Sequence, residues 1–95
     1  MKAYWIGRVK VTNPEQYGKY AQLAGPAIQK NGGRFLVRGG KCEGLEGTYY
    51  DRNVVIEFDS LEAAKRCYNS PEYQEALQFT KGSSVRDIVI VEGLA

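Results

Sequence analysis

Residues 53–58, Asn-Val-Val-Ile-Glu-Phe, form the most strand-like stretch of the chain, because β-branched and aromatic side chains dominate it. Successive side chains of a strand point to opposite faces of a sheet. The strand therefore has two faces with apolar side chains: Val54, Ile56 and Phe58 on one, and Val55 with Glu57 on the other. This pattern predicts a strand that is buried on both sides.

Two other segments show the same two-sided pattern. Residues 2–11 mix aromatic and β-branched side chains and end at a turn signal, and residues 86–92 alternate isoleucine with valine. A fourth strand is predicted over residues 34–41. In the first strand, Trp5 and Val9 point to one face of the sheet, and Tyr4 and Ile6 point to the other. In the last strand, Ile88 and Ile90 point to one face, and Val89 and Val91 point to the other.

Helical segments connect these strands. Asn13 is expected to cap the first helix, which should be interrupted at Gly25-Pro26 and end at Asn31-Gly32-Gly33. The second helix is expected to start at the Ser60 cap and to restart at Ser70-Pro71. The resulting order, βαββαβ, predicts an α+β ferredoxin-like sandwich, in which a four-stranded antiparallel sheet has helices on one face. Residues 1–95 are expected to form a single domain of this kind.

The apolar residues on both sheet faces also predict an assembly. Two helices cannot cover both faces of a four-stranded sheet, so the second face needs another cover. The same face of a second copy would provide it through a closed two-fold interface. We therefore expect a homodimer in which two sheets pack as a dimeric α+β barrel.

Composition excludes several functions. The formal net charge of +2 is too small to indicate nucleic acid or an anionic membrane as partner. The chain has no histidine, which removes the commonest metal ligand and general base, and we expect neither a metal nor another cofactor. The N-terminus does not resemble a signal peptide, no segment is apolar enough to span a membrane, and Cys42 and Cys67 are expected to be free thiols. A cytoplasmic location is therefore expected.

Five short segments also resemble a known family. They are Lys2–Ile6, Asn31–Leu36 with Arg38-Gly39-Gly40, Val54–Phe58, Ser70–Tyr73 and Val91–Gly93. Their order and spacing resemble domain-of-unknown-function family 1330 over essentially the whole chain. The resemblance implies the dimeric α+β barrel superfamily but no particular activity.

Several side chains are candidates for a site. Arg34 and Arg38 stand four residues apart, so they are expected on one sheet face, where Arg38 beside Gly39-Gly40 would clamp an anion. The alternative is that Arg38 pairs with Glu57. The carboxylate of Glu57 in an apolar strand must be paired or have a raised pKa, and a raised pKa would suit a general base. Further pocket-lining candidates are Tyr4 and Tyr68.

Three functions follow from these candidates. The first is a homodimeric protein that binds a small organic or aromatic acid without catalysis. The alternative is a cofactor-independent isomerase or monooxygenase-like enzyme with Glu57 as base and Arg38 as anion clamp. The third, RNA binding through sheet aromatics, is disfavoured because Val55 and Glu57 occupy the open face of the third strand. We therefore expect no nucleic acid partner.

Overall fold

The computed structural model describes residues 1–94, which form one four-stranded antiparallel sheet with its helices on one face. The strands pair in the order β2-β3-β1-β4, so the predicted βαββαβ ferredoxin-like architecture is confirmed. The elements are β1 (Ala3–Val11), α1 (Pro14–Lys30), β2 (Arg34–Arg38), β3 (Arg52–Phe58), α2 (Leu61–Tyr68), α3 (Pro71–Leu77), a 3-10 turn (Gln78–Thr80) and β4 (Ser84–Glu92).

All three predicted helix caps are confirmed. The side chains of Asn13, Ser60 and Ser70 each accept a hydrogen bond from the backbone amide three residues later, at 3.0 to 3.2 Å. These bonds satisfy amides that the first turn of a helix leaves without an internal partner. The helix starts are therefore set locally by the sequence.

The predicted end of α1 at Asn31 is confirmed, but the predicted interruption at Gly25-Pro26 and the predicted end of β2 are wrong. α1 continues through Pro26 to Lys30, because its buried side, packed on the sheet, outweighs the single backbone hydrogen bond that proline removes. β2 ends at Arg38 and not at residue 41. Gly39 follows with a φ of +69°, which turns the chain out of the strand.

The two faces of the sheet have different surroundings. The helix face, which α1, α2 and α3 cover, carries Trp5, Val9, Ile56 and Phe58, all 2% exposed or less. The opposite face, here called the open face, has no helix over it. Its exposed apolar side chains are Val37, Val85, Val89 and Val91.

A bulge in β2 changes which side chains share a face. Arg34 pairs with Glu57, and Arg38 pairs with Val54, but Leu36 between them has no partner on β3. The extra residue shifts the alternation by one. Arg34 therefore lies on the open face and Arg38 on the helix face, so the prediction that they share a face is wrong.

The helices of residues 1–94 are too short or too polar to cross a membrane.

Substitution of Gly33 tests how tightly the end of α1 packs on the sheet. A Cβ atom at Gly33 would stand 2.5 Å from Ile28 Cγ2 and 2.9 Å from both Ile56 Cγ2 and Phe58 Cζ. We expect Gly33→Ala to lower the free energy of unfolding by about 1–3 kcal/mol, since overpacking forces neighbours apart. Denaturant titration measures this difference.

Gly18 provides the matched control. It lies within α1, and a Cβ atom there would have nothing within 4 Å. Gly18→Ala is expected to raise the free energy of unfolding by about 0.5–1 kcal/mol, because alanine favours helix. Equal changes in the free energy of unfolding for the two substitutions would contradict the close packing around Gly33.

Candidate functional site

A small cavity lies between α1 and the helix face of the sheet. It exists because small residues meet there: Gly7 at the centre of β1, and Ala21, Ala24 and Gly25 on α1. Gly7 pairs with Val54 on β3 and with Ile88 on β4, so the missing side chain leaves a gap in the middle of the sheet. The remaining lining is mainly apolar: Trp5, Val9, Ile28, Phe35 and Ile56.

The cavity volume of about 40 Å³ limits what it can hold. One water molecule needs roughly 10–15 Å³ on the same measure. The space therefore suits a few water molecules or the head group of a small molecule. A longer ligand would have to extend through the rim.

Two arginines line the cavity from the two strands that flank β1. In the sheet register Val9 of β1 pairs with Arg52 of β3 and with Arg86 of β4. Because directly paired residues point to the same face, both guanidinium groups project under α1 beside buried Val9. The sheet therefore places one cation on each side of Val9, within a mainly apolar layer.

Aromatic hydroxyl groups hold the Arg86 side chain in place. Its Nη2 atom donates to Tyr20 Oη at 3.0 Å and to Tyr73 Oη at 3.1 Å, and these two hydroxyl oxygens lie 2.7 Å apart. The guanidinium also lies 4.7 Å from the centroid of the Tyr20 ring. The Nε atom of Arg86 is buried and has no hydrogen-bond partner within residues 1–94.

Arg52 has fewer partners than Arg86. Its guanidinium lies 5.8 Å from the centroid of the Tyr17 ring and occupies the space where Gly39 lacks a side chain. Its Nε atom is also buried without a hydrogen-bond partner in the described chain. Arg52 and Arg86 therefore each have a buried Nε donor with no acceptor within residues 1–94.

Arg38 lies at the rim of the cavity. Its guanidinium stacks 4.1 Å from the centroid of the Phe35 ring and reaches α1 at Gly25, where a Cβ atom would lie 2.5 Å from Nη2. The side chain is exposed, in contrast to the side chains of Arg52 and Arg86. Three guanidinium groups therefore line the cavity: those of half-buried Arg52 and Arg86, and that of exposed Arg38 at the rim.

No carboxylate balances these three cations. Within residues 1–94 the ion pairs are Lys2 with Asp59 and Arg34 with Glu57, both outside the cavity. The lining contains no aspartate or glutamate. Burial raises the pKa of Tyr20 and of Tyr73, so both phenols stay protonated and neutral. The cavity is therefore positively charged and rich in hydrogen-bond donors.

Glu57 belongs to a separate network on the open face. One carboxylate oxygen accepts a hydrogen bond from Arg34, and the other accepts from Tyr4 Oη at 3.2 Å. The expected alternative, pairing of Glu57 with Arg38, is wrong because the bulge in β2 puts Arg38 on the other face. Glu57 and Arg38 therefore cannot contact the same small ligand within one chain.

Tyr68 packs away from the cavity. Its ring lies 5.7 Å from that of Trp5 and 5.5 Å from that of Tyr73. It lines a groove between α2 and β4, with Lys65 and residues 88–90. Gly40, in the loop after β2, has no atom within 4 Å of an added Cβ. Of the residues predicted for the site, only Arg38 lines the cavity.

Sequence reasoning did not place Arg52 or Arg86 on the sheet face that carries the core. A signal for both was available, because Arg52 alternates in phase with Val54 and Ile56, and Arg86 alternates in phase with Ile88. Each arginine therefore belongs to the face that carries the core residues. Residues 1–94 contain no group of three His, Cys, Asp or Glu side chains that could hold a metal ion.

Solved structures share this fold at low sequence identity. A protein of unknown function from Rhodopseudomonas palustris, RPA0582, is 18% identical, with a TM-score of 0.74 over 99% of this chain and 83% of that one. SnoaB, a cofactor-independent oxygenase from Streptomyces nogalater, is 12% identical, with a TM-score of 0.67 over 99% and 94% of the two chains. A dimeric ferredoxin-like protein of unknown function from Thermobifida fusca is 19% identical, with a TM-score of 0.60 over 98% and 92%. These similarities support the fold alone.

Family comparison covers nearly the whole chain. Comparison with curated proteins finds no match. A family model described as a domain of unknown function, DUF1330, matches residues 2–94. The sequence resemblance is thereby confirmed, and the chain belongs to the DUF1330 family.

Proposed function

We propose that this protein binds a small organic anion, a carboxylate, in the cavity between α1 and the sheet and does not transform it. The observation that carries the proposal is the pair of buried Nε donors of Arg52 and Arg86, which have no acceptor within the described chain. A buried donor without a partner costs about 1–3 kcal/mol, and more when it is charged. A bound carboxylate would accept from such donors and offset this cost.

Charge supports the same ligand class. The three guanidinium groups of Arg38, Arg52 and Arg86 have no carboxylate partner within residues 1–94. Guanidinium groups match the planar geometry of a carboxylate, and they bind it most strongly where water is excluded. The apolar lining would contact the hydrocarbon part of an organic acid. An anion with a small apolar body therefore fits both parts of the cavity.

The side chains of the cavity favour binding without catalysis. General base catalysis needs a group that accepts a proton near neutral pH. The lining has no carboxylate, the chain has no histidine, and burial raises the pKa of Tyr20. Glu57, the base of the enzymatic alternative, lies on the open face with both oxygens hydrogen-bonded.

Direct titration tests the binding. Trp5 is the only tryptophan and lines the cavity, so its fluorescence should report occupancy. We expect saturable changes with acetate, propionate or benzoate, and none with the corresponding amides. Arg52→Met and Arg86→Met are each expected to lower the affinity by about tenfold or more, the usual effect of losing a hydrogen bond to a charged group.

Arg66→Met is the matched control, because Arg66 lies exposed on α2, outside the cavity lining. This variant should retain the wild-type affinity. Failure of every acid to bind, or equal loss of affinity in all three variants, would contradict the proposal. The free energy of unfolding adds a second readout, since Arg52→Met removes a buried Nε donor that has no acceptor within residues 1–94 and should leave the empty protein at least as stable.

We further propose that the protein is a homodimer whose open faces pack together. The apolar side chains of Val85, Val89 and Val91 are between 45% and 57% exposed on that face of one strand. Exposed apolar side chains on a sheet face without a helix over it are typical of an interface. The solved structure from Thermobifida fusca is described as dimeric, which supports the same assembly.

Light scattering behind a sizing column tests the assembly. The wild-type protein is expected to have about twice the chain mass of 10.6 kDa at micromolar concentration. Val89→Glu should yield monomers, because it places a charge within the proposed interface. Leu23→Glu, on the exposed side of α1, should leave the dimer intact. A monomeric wild-type protein would refute this assembly.

A further inference from the structure

The hydroxyl groups of Tyr20 and Tyr73 have one proton more than their surroundings can accept. Each phenol has one proton to donate, and Arg86 donates to both oxygens. One phenol donates to the other across their 2.7 Å contact. The second phenolic proton has no acceptor within residues 1–94, because guanidinium groups only donate.

The position of the two rings decides where this spare proton lies. Tyr73 has no exposed surface and does not line the cavity. Tyr20 lines the cavity beside Arg52 and Arg86. If Tyr20 donated to Tyr73, the spare proton would be enclosed in the core without a partner, which is costly. Donation from Tyr73 to Tyr20 instead leaves the Tyr20 hydroxyl free to donate into the cavity.

The polar groups of the cavity then form a set of donors. Arg52 Nε and Arg86 Nε have no acceptor within the described part of the chain. The Tyr20 hydroxyl is the third donor of the lining. The indole nitrogen of Trp5, also a donor, lies 4.0 Å from the position of a Cβ atom on Gly7 and so faces the cavity floor. The lining contains no side-chain carboxylate or amide that would accept from a ligand.

We propose that Tyr20 donates its phenolic proton to the bound anion and thereby makes the site specific for ionised carboxylates with acceptor-only head groups. This inference rests on the proposed function and adds the residue that sets its specificity. An amide presents N–H groups that none of these three donors can accept from, so its protons stay unpaired beside them. A carboxylate only accepts, so its oxygens can pair with such donors.

A matched pair of variants tests the role of Tyr20. Tyr20→Phe and Tyr73→Phe each remove one hydroxyl of the same contact, so both should lower thermal stability by a similar amount. Only Tyr20→Phe removes the donor to the ligand. With propionate and benzoate as probes, we expect Tyr20→Phe to weaken binding about tenfold or more. Tyr73→Phe should weaken it clearly less, because the Tyr73 hydroxyl only positions Arg86 and Tyr20.

The outcomes separate this inference from the proposed function. If the wild-type protein binds neither acid, both are overturned. If it binds an acid but Tyr20→Phe binds equally well, or Tyr73→Phe loses as much affinity as Tyr20→Phe, only the role of Tyr20 is overturned. Circular dichroism shows that each variant is folded, and Tyr20→Leu provides a second test of the hydroxyl if Tyr20→Phe does not fold.

Discussion

The placement of two half-buried arginines under α1, each with a buried Nε donor, is the constraint on which this structure depends. The antiparallel register places Arg52 and Arg86 on either side of Val9, on the face that the helices cover. Neither has a carboxylate partner within residues 1–94, so tyrosine rings and hydroxyl groups surround them instead. Small side chains at Gly7 and along α1 leave the adjoining space empty. Folding alone does not need such an arrangement, which is why we propose that a ligand completes it.

The two faces of the sheet have separate chemistry. On the helix face, unpaired donors surround a cavity with an apolar lining. On the open face, the carboxylate of Glu57 is satisfied by Arg34 and Tyr4, and its surroundings are exposed valines. Hydrogen bonds to both oxygens favour the ionised form of a carboxylate, which suits a structural ion pair better than a general base. The single-residue bulge at Leu36 separates these roles, because it moves Arg38 away from Glu57.

The sequence predicts the fold better than the site, for physical reasons. Strand alternation and the caps at Asn13, Ser60 and Ser70 are local properties, and all of them appear in the structure. The bulge depends on how β2 packs against β3. A prediction from regular strand alternation therefore put Arg38 on the same face as Arg34, which is wrong. Arg52 and Arg86 come together only through the pairing of three strands, which no local pattern specifies.

Nuclear magnetic resonance of the arginine Nε–H groups tests the central claim most directly. The chain has six arginines, so their signals can be assigned individually by substitution. On titration with propionate or benzoate, the signals of Arg52 and Arg86 should shift saturably and exchange more slowly with water, while that of Arg66 should not. Unchanged Arg52 and Arg86 signals, or a uniform weak shift of all six, would contradict a carboxylate site between α1 and the sheet.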